Sequence, residues 1–362
     1  MNASLHAYWR ALANGEKQGP IAAILTCLLL PAALIYGFIL TARAGLYKYG
    51  ILKTHRLPRP VISIGNITVG GTGKTPTTIH IAQLLISRGF KVAVISRGYG
   101  GNMEGKTAIV SDGQHIMLSA GQCGDEPYLM AASVPGLVVA IGSNRYQAGQ
   151  LVMETLNPDV FLLDDGFQHM ALHRDLNILL ADYATPFGNG LTLPAGVMRE
   201  PKQAAERADL VILTRSPENA ETSTPVPGKT TLHSRHILSD QCHLLAGAGL
   251  MTLSALKNCR VFAFAGIAEP ETFFKDLAQR GLHIVETMPL PDHSAYDATL
   301  AFQISQRMQN SGADWAITTE KDGVKLAGPQ FDAIDKVVVT RLSITTDPPD
   351  FLEKHLFNLL QK

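Results

Sequence analysis

Residues 60–78 read PVISIGNITVGGTGKTPTT and contain three successive structural signals. The short apolar run at 61–64 predicts a buried strand, and apolar residues at helical spacing begin just after Lys74 and Thr75. Between them lies a turn rich in glycine. Glycines let backbone N–H groups point at phosphate oxygens, and a helix N-terminus adds partial positive charge. Strand, glycine turn and helix in this order therefore predict a loop that binds the phosphates of a nucleoside triphosphate.

The individual residues of this loop have distinct expected roles. The lysine of such a loop contacts the β- and γ-phosphates, and the hydroxyl that follows it can bind Mg²⁺. The spacing departs from the strict pattern at Thr68, where glycine is expected. A glycine-rich turn with a surface lysine is the alternative, but the flanking strand and helix favour the phosphate loop. We expect eight consecutive residues to bind the nucleotide: Thr68, Val69, Gly70, Gly71, Thr72, Gly73, Lys74 and Thr75.

The composition limits the class of protein. A chain of 362 residues with 46% hydrophobic residues predicts two domains with sizeable cores. The formal net charge of +0 argues against binding to a polyanion, so no nucleic-acid partner is expected. The four cysteines lack CxxC spacing, which indicates reduced thiols in place of a disulfide framework or a zinc site.

An apolar segment lies near the N-terminus. No charged residue occurs between Lys17 and Arg43, and the mostly apolar stretch 21–42 is long enough to cross a hydrocarbon core of about 30 Å, even with Pro31 inside. A cleaved signal peptide is disfavoured because the apolar run is too long. A buried helix of a soluble domain is the other alternative. A membrane anchor is the interpretation that fits best.

The charges that flank this segment predict its orientation. More basic residues follow the apolar run than precede it. Those that follow it are Arg43, Lys48, Lys53, Arg56 and Arg59, and those that precede it are Arg10 and Lys17. By the positive-inside rule, the body of the protein then lies in the cytoplasm, where ATP and Mg²⁺ are available. The pattern leaves open whether the helix spans the bilayer or lies in one leaflet.

A second strand ends in two acidic residues. The apolar run 160–163 predicts a buried strand, and Asp164 and Asp165 follow it directly. A carboxylate at this place holds Mg²⁺ in phosphate-loop proteins, opposite the loop hydroxyl. An acidic cap on a strand-to-turn junction is the alternative. We therefore expect Thr75, Asp164 and Asp165 to bind the metal.

Two further positions lie where a ligand is expected. In parallel sheets, residues just past the carboxyl ends of strands line the ligand crevice. Arg97 and Tyr99 follow the predicted strand 91–96, although a solvated loop arginine is the alternative for Arg97. Asp125 and Glu126 precede a proline and resemble a helix start, where acidic side chains satisfy free N–H groups.

The order of elements predicts the domain organisation. Strands alternate with helices, which predicts an α/β fold: a P-loop NTPase-like parallel-sheet domain, a smaller Rossmann-like α/β domain and an N-terminal membrane helix. We place the membrane-anchoring segment at 1–43, the phosphate-loop domain at 44–240 and the smaller domain at 241–362. For the last helix of the chain, the sequence leaves open whether it stays with the smaller domain or packs back on the first domain.

Eight short motifs in sequence order form the most specific signal. They are GNITVGGTGKTP at 65–76, SRGYGG at 96–101, GDEP at 124–127, DDGFQH at 164–169, LPAGVMREP at 193–201, AGIAEPETFF at 265–274, PDHSAY at 291–296 and TTEKDGVKL at 318–326. Together, behind an apolar N-terminal helix, they resemble the tetraacyldisaccharide 4′-kinase family of lipid A biosynthesis in Gram-negative bacteria. The resemblance extends over nearly the whole chain.

The resemblance implies a reaction and a location. It implies transfer of the γ-phosphate of ATP, with Mg²⁺, to the 4′-hydroxyl of a tetraacylated glucosamine disaccharide 1-phosphate, the lipid A precursor. The implied place is the bacterial inner membrane, in contact with its lipids, with the catalytic body on the cytoplasmic face. Two domains that close over the nucleotide are implied as well.

The resemblance also implies residue roles. Asp125 is the expected general base for the sugar hydroxyl, assisted by His293 of the second domain, and Lys74 is the expected contact to the transferred phosphate. Arg97, Tyr99, Arg199 and Glu200 are further candidates for substrate or nucleotide contacts. The residues alone leave open that Asp125 caps a helix and that His293 is a loop histidine.

Two other functions compete with this interpretation. The first is a membrane-tethered P-loop ATPase that acts as a switch, but such ATPases carry an extra lysine in the loop, where this chain has Val69. The second is a nucleotide-binding anchor without catalysis, which leaves the acids Asp125, Asp164 and Asp165 unexplained. Hydrolysis of ATP without a lipid acceptor would favour the switch, and no turnover at all would favour the anchor.

Overall fold

The structure is a computed structural model that describes residues 3–221, 224–245, 249–292, 294–326, 329–331, 334 and 336–361. The helices are α1 (Ala3–Ala13), α2 (Pro20–Lys48), α3 (Lys74–Ser87), α4 (Ala120–Cys123), α5 (Asp125–Ser133), α6 (Arg145–Leu156), α7 (Pro270–Gln279), α8 (Ala298–Ser311), α9 (Glu320–Gly323) and α10 (Pro349–Leu360). Short 3₁₀ turns occur at Lys202–Arg207, Leu253–Leu256 and Pro329–Phe331.

The strands alternate with these helices along most of the chain. They are β1 (Val61–Gly65), β2 (Val92–Ser96), β3 (Ala108–Asp112), β4 (Val138–Ile141), β5 (Val160–Asp164), β6 (Leu176–Asp182), β7 (Leu210–Thr214), β8 (Thr230–Leu244), β9 (Leu250–Thr252), β10 (Arg260–Ala265), β11 (His283–Pro289), β12 (Trp315–Thr318) and β13 (Val337–Asp347).

The strands form one continuous sheet with two parallel halves. The order is β11-β10-β12-β13-β8-β7-β6-β1-β5-β2-β4-β3, and β9 pairs with β8. Pairing is parallel from β7 to β4 and again from β11 to β13, whereas β8 and β13 are antiparallel. Buried apolar strands with helices on both faces are typical of parallel sheets. The predicted α/β class with a large parallel sheet is confirmed.

The long strand β8 connects the two halves. Its first residues pair with β7 from Thr230 to His233, and its remainder pairs with β13 up to Leu244. A two-stranded ribbon therefore links the two parallel halves. The border that we propose at residue 240 falls inside this strand, so a strand and not a loop crosses it.

The last helix, α10, packs on the core of the first half. Leu352 and Leu356 of α10 are fully buried in the cluster that also contains β1 and α3. Phe357 stacks on Phe90, with ring centroids 6.0 Å apart, and Arg88 forms an ion pair with Glu353. Burial of each leucine contributes about 1.5–3 kcal/mol, so the end of the chain stabilises the phosphate-loop half.

Helix α2 is long, apolar and largely exposed. It has 29 residues and a mean hydropathy of 2.4 over its most apolar window, of which 11% is buried. In the described part of the chain, it is the one helix long and apolar enough to cross a membrane. Its large exposed side chains are Ile21, Ile24, Leu28, Leu34, Ile35, Phe38 and Ile39. So much exposed apolar surface fits a membrane-associated helix and not the core helix of a soluble domain.

Candidate active site

The glycine-rich turn lies between the end of β1 and the start of α3. Gly73 has φ 76° and Gly70 has φ 121°, conformations that glycine adopts without strain. The Nζ atom of Lys74 lies 3.4 Å from Asn66 Oδ1 and 3.9 Å from Asp165 Oδ1. The buried hydroxyl of Thr72 has no hydrogen-bond partner in the described chain. The turn thus offers an ammonium, a hydroxyl and a helix N-terminus to an anion.

The acidic pair lies beside this turn because β5 is the parallel neighbour of β1. Asp164 is buried and accepts a hydrogen bond of 3.2 Å from Thr78. Burial, together with the negative charges of Glu126 and Asp165, raises the pKa of Asp164. Burial alone would raise the pKa of Asp165, but the cations Lys74 and Arg199 outweigh it and lower that pKa. A buried carboxylate with a raised pKa is one that gains from a bound cation.

These oxygens have the chemistry that Mg²⁺ prefers. Among the described residues, no group of three His, Cys, Asp or Glu side chains is preassembled to hold a metal ion. A phosphate-loop site does not need such a group, since Mg²⁺ uses one or two carboxylates and takes its other ligands from phosphates and water. The Asp165 Oδ1 atom is buried without a hydrogen-bond partner in the described chain, although Lys74 lies near it.

The segment 193–201 supports the loop from one side. Its Val197 carbonyl accepts a hydrogen bond of 2.7 Å from the N–H of Val69, and the N–H of Arg199 donates to the carbonyl of Ile67 at 2.7 Å. This pairing directs the Arg199 guanidinium to Asp165, where Nη1 lies 2.9 Å from Oδ2. The predicted residue Arg199 therefore joins the acidic pair.

Glu200 lies apart from these groups. Its side chain is buried and accepts two hydrogen bonds from Arg207 Nη2, at 2.9 and 2.8 Å. This carboxylate is occupied by a structural partner, so a substrate contact through Glu200 stays a prediction without support from the geometry.

Asp125 is the first residue of α5, and the N-cap position belongs to Gly124. The Lys325 Nζ atom of the second half lies 3.6 Å from Asp125 Oδ2 and 3.3 Å from Asp322 Oδ1. Asp125 thus contacts a cation from across the domain border. The assisting residue expected from sequence, His293, lies outside the described residues.

Asp322 anchors this contact from the second half. It is fully buried and accepts hydrogen bonds from the N–H of Gly266 at 2.9 Å and from the hydroxyl of Thr319 at 2.7 Å. A buried carboxylate with several donors is held in one orientation. Lys325, positioned by Asp322, is a functional candidate that the sequence reasoning did not single out, although it lies in the motif at 318–326.

A buried arginine also escaped the sequence reasoning. Arg145 follows β4 as Arg97 follows β2, so the crevice rule applies to both. Its Nη1 donates to the Gly142 carbonyl at 2.8 Å. Burial and the nearby positive charge of Arg97 lower the pKa of Arg145 to about 10, against the opposing charges of Asp164 and Asp165.

A cavity of about 1690 Å³ lies between the two halves and α2. The phosphate loop, the acidic pair, Arg97, Tyr99 and Arg199 all line it. Further lining residues come from α5, from the start of α6, from the loop after β5 and from the apolar helix: Glu126, Arg145, Gln168, His169, Tyr36, Leu40 and Arg43. One space therefore contacts both the phosphate loop and α2.

Basic side chains gather at one side of this cavity around His169. Burial, together with the positive charges of Arg145, Arg174, Arg43 and Arg97, lowers the pKa of His169 to about 4. The imidazole is neutral at pH 7 as a result. The surrounding guanidinium groups form a region that attracts anions.

A phosphate loop on a parallel sheet, with an acidic pair at the end of the neighbouring strand, defines a nucleoside triphosphate-binding protein of the P-loop class. The family model of tetraacyldisaccharide-1-P 4′-kinase matches residues 25–361, and the chain belongs to this family.

Individual relatives agree with the family. The chain is 54% identical over 362 residues to the tetraacyldisaccharide 4′-kinase of Pelobacter propionicus, covering 100% of both chains. It is 50% identical over 333 residues to that of Geobacter sulfurreducens, covering 90% of this chain and 91% of the relative. A crystal structure of LpxK from Aquifex aeolicus in complex with ATP has 35% identity and a TM-score of 0.76, covering 93% of this chain and 99% of that one.

Proposed function

We propose that this protein transfers the γ-phosphate of ATP to the 4′-hydroxyl of a tetraacylated glucosamine disaccharide 1-phosphate, as the kinase of lipid A biosynthesis. The observation that carries the proposal is the shared cavity, which both the phosphate loop and the apolar helix α2 line. A nucleotide held by the loop and a lipid held at a membrane then meet in one space. Family membership supports the same reaction. Family membership does not favour the alternative function, a membrane-tethered P-loop ATPase that acts as a switch.

The nucleotide is ATP in this proposal. The related LpxK structure contains ATP, and the end of the loop at Gly73 to Thr75 provides the N-terminal N–H groups of α3 and the ammonium of Lys74. The unpartnered buried hydroxyl of Thr72 supports a bound oxyanion at this place. Thr75, Asp164 and Asp165 would hold Mg²⁺, which when bound neutralises charge on the phosphates.

Asp125 serves as the general base. It accepts the proton of the 4′-hydroxyl while the hydroxyl oxygen forms a bond to the γ-phosphorus, and the bond from that phosphorus to the bridging oxygen breaks to release ADP. Lys325, at 3.6 Å, holds the carboxylate in place from the second domain. His293 assists it in the role implied by the family. A base completed by residues of both domains couples the chemistry to domain closure.

The acceptor contacts are assigned to the basic side of the cavity. Arg97 and Tyr99 are exposed to the cavity, and Arg199 is oriented by its ion pair with Asp165. The cluster of Arg43, Arg97 and Arg145 supports binding of an anionic headgroup. Because Arg43 belongs to α2, the headgroup is bound next to the membrane helix.

The site of action is the cytoplasmic face of the bacterial inner membrane. The exposed apolar surface of α2 supports membrane association, and the basic residues that follow the apolar run support a cytoplasmic body. ATP is available on this side.

Analysis of the lipid product tests this function. The full chain in detergent is incubated with ATP, Mg²⁺ and the tetraacyl disaccharide 1-phosphate, and the lipid is examined by mass spectrometry with fragmentation. We expect one phosphate added on the distal sugar at its 4′ position and ATP consumption that depends on the lipid. ATP hydrolysis at the same rate with and without lipid, and no altered lipid, would contradict the proposal.

A further inference from the structure

Helix α1 precedes the part of the chain that the family model matches, which begins at residue 25. It nevertheless packs against the body of the protein. Trp9 Nε1 donates a hydrogen bond of 2.9 Å to the Pro194 carbonyl, and the N–H of Asn189 donates to the Ala13 carbonyl at 3.0 Å. Leu12 and Ala13 are buried. The helix is thus held against the loop that supports the phosphate site.

This packing brings Arg10 to the phosphate loop. Arg10 Nη1 donates to the Ala268 carbonyl of the second domain at 3.4 Å. Its Nη2 lies 3.7 Å from the position that a Cβ on Gly70 would occupy. Because Gly70 has no side chain, no Cβ atom of that residue stands between the guanidinium of Arg10 and the backbone of the loop. Arg10 also lines the large cavity.

The guanidinium of Arg10 is not neutralised within the described chain. No Asp or Glu among the described residues forms an ion pair with it, whereas Arg199, Arg207 and Arg215 each have one. A guanidinium has several N–H donors, and one hydrogen bond to a carbonyl leaves most of them available. A cation with free donors beside a phosphate loop is suited to bind phosphate oxygens, often through two parallel hydrogen bonds.

We propose that Arg10 binds a phosphate group next to the phosphate loop and is a further substrate-binding residue for the reaction. The inference rests on the proposed function for the identity of that group, which is either a phosphate of ATP or the phosphate of the lipid acceptor. Arginines supplied from outside the loop stabilise the transferred phosphoryl group in other phosphate-loop proteins. In this chain, such an arginine comes from α1.

The position of Arg10 also depends on the second domain. Ala268, which accepts its hydrogen bond, has its Cβ atom 3.5 Å from the position of a Cβ on Gly71. Helix α1, the phosphate loop and the second domain therefore meet at one point. The guanidinium is held there while the two domains are in contact.

Two arginine variants and one tryptophan variant test the inference in the full chain. Arg10→Ala removes the cation, Arg10→Lys keeps a charge without the planar fork, and Trp9→Phe removes the indole N–H that anchors α1 to Pro194. ATP affinity is measured by calorimetry without lipid, and kcat and KM are measured for both substrates. We expect Arg10→Ala to lower kcat/KM about 10- to 100-fold, Arg10→Lys to recover part of the loss and Trp9→Phe to stay near the wild type.

The pattern of the loss identifies the phosphoryl group. Weaker ATP binding without lipid assigns Arg10 to the nucleotide, and unchanged ATP binding with a raised KM for the lipid assigns it to the acceptor phosphate. Either result supports the inference. It is overturned if Arg10→Ala behaves as the wild type, or if Trp9→Phe causes an equal loss, because docking of α1 alone then explains the effect. If the wild type phosphorylates no lipid, the proposed function fails, and the ATP affinity of Arg10→Ala still decides about Arg10.

Discussion

The ammonium nitrogen of Lys325 lies 3.6 Å from a carboxylate oxygen of Asp125, although the two residues belong to different halves of the sheet. The Lys325 side chain is 8% exposed and also contacts Asp322, so the pair is shielded from solvent. Ion pairs in such surroundings are stronger than those on a protein surface. The contact therefore connects the position of the proposed base to the second half of the sheet.

Replacement of Lys325 should impair catalysis more than nucleotide binding. We expect Lys325→Met to lower kcat about 10- to 100-fold, since Asp125 loses its partner across the domain border, and to leave ATP affinity near the wild-type value. Steady-state kinetics and calorimetry measure the two quantities. Lys354→Met is the matched control because Lys354 pairs with Asp350 on the exposed surface. A wild-type kcat in Lys325→Met would remove Lys325 from the mechanism.

Replacement of Glu200 should affect stability and not the substrate. Glu200→Gln weakens a buried pair with Arg207, and we expect a loss of about 2–3 kcal/mol in the free energy of unfolding, with KM for the lipid unchanged. Urea unfolding and steady-state kinetics provide the measurements. The control Asp350→Asn, in an exposed pair, should change stability by less than about 0.5 kcal/mol. A raised KM without loss of stability would instead assign Glu200 to the substrate.

His236 should make stability depend on pH. It packs against the phosphate loop, where a Cβ on Gly73 would lie 2.3 Å from its ring, and burial together with the charge of Arg215 lowers its pKa to about 4. Between the ordinary pKa of about 6.5 and this value, the unfolded chain binds more protons than the folded one, so stability falls as the pH falls.

The size of this effect can be isolated by difference. We expect the ionisation of His236 to lower the free energy of unfolding by about 1–2 kcal/mol when the pH falls from 7 to 5. This part of the pH dependence should disappear in His236→Asn. Asp164, with its raised pKa, acts in the opposite direction in both proteins and cancels in the comparison. Substitution of the exposed His283 serves as the control. Equal pH dependence in the wild type and in His236→Asn would contradict the buried, neutral state of His236.

The exposed face of α2 should bind membranes. We expect the wild type to float with phospholipid vesicles in a density gradient, and a variant with Ile24, Leu28 and Phe38 changed to Gln to bind at least about 10-fold more weakly, because each large apolar side chain contributes about 1.5–3 kcal/mol when buried. A variant with Leu250 and Phe302 changed to Gln controls for exposed apolar residues elsewhere. Equal flotation of all three proteins would show that α2 is not the membrane contact.

The features that could be predicted from the sequence are those set by residues close together along the chain. The strand, loop and helix of residues 60–78 follow from local pattern, and the acids at 164 and 165 follow from their place at the end of a buried strand. The parallel pairing of β1 with β5 then brings the two sets together without further information. This is why the phosphate loop and the acidic pair could be proposed as one site.

Features set by distant contacts were not predictable in the same way. The partner of Asp125 in the structure, Lys325, comes from the other half of the chain, and only the fold brings the two together. Glu200 lies in a motif next to Arg199, yet Arg207 binds its carboxylate and keeps it from the cavity. The domain border was expected at residue 240, but pairing with β13 makes this segment part of a long strand.

Transfer of ³²P from γ-labelled ATP to the detergent-dispersed tetraacyl disaccharide 1-phosphate tests the central claim most directly. We predict labelled lipid with the wild type, none with Lys74→Ala, and a rate about 10²- to 10⁴-fold lower with Asp125→Asn, which keeps the size of the side chain but cannot accept the hydroxyl proton. Release of labelled phosphate to water without labelled lipid, or an Asp125→Asn variant as fast as the wild type, would contradict it.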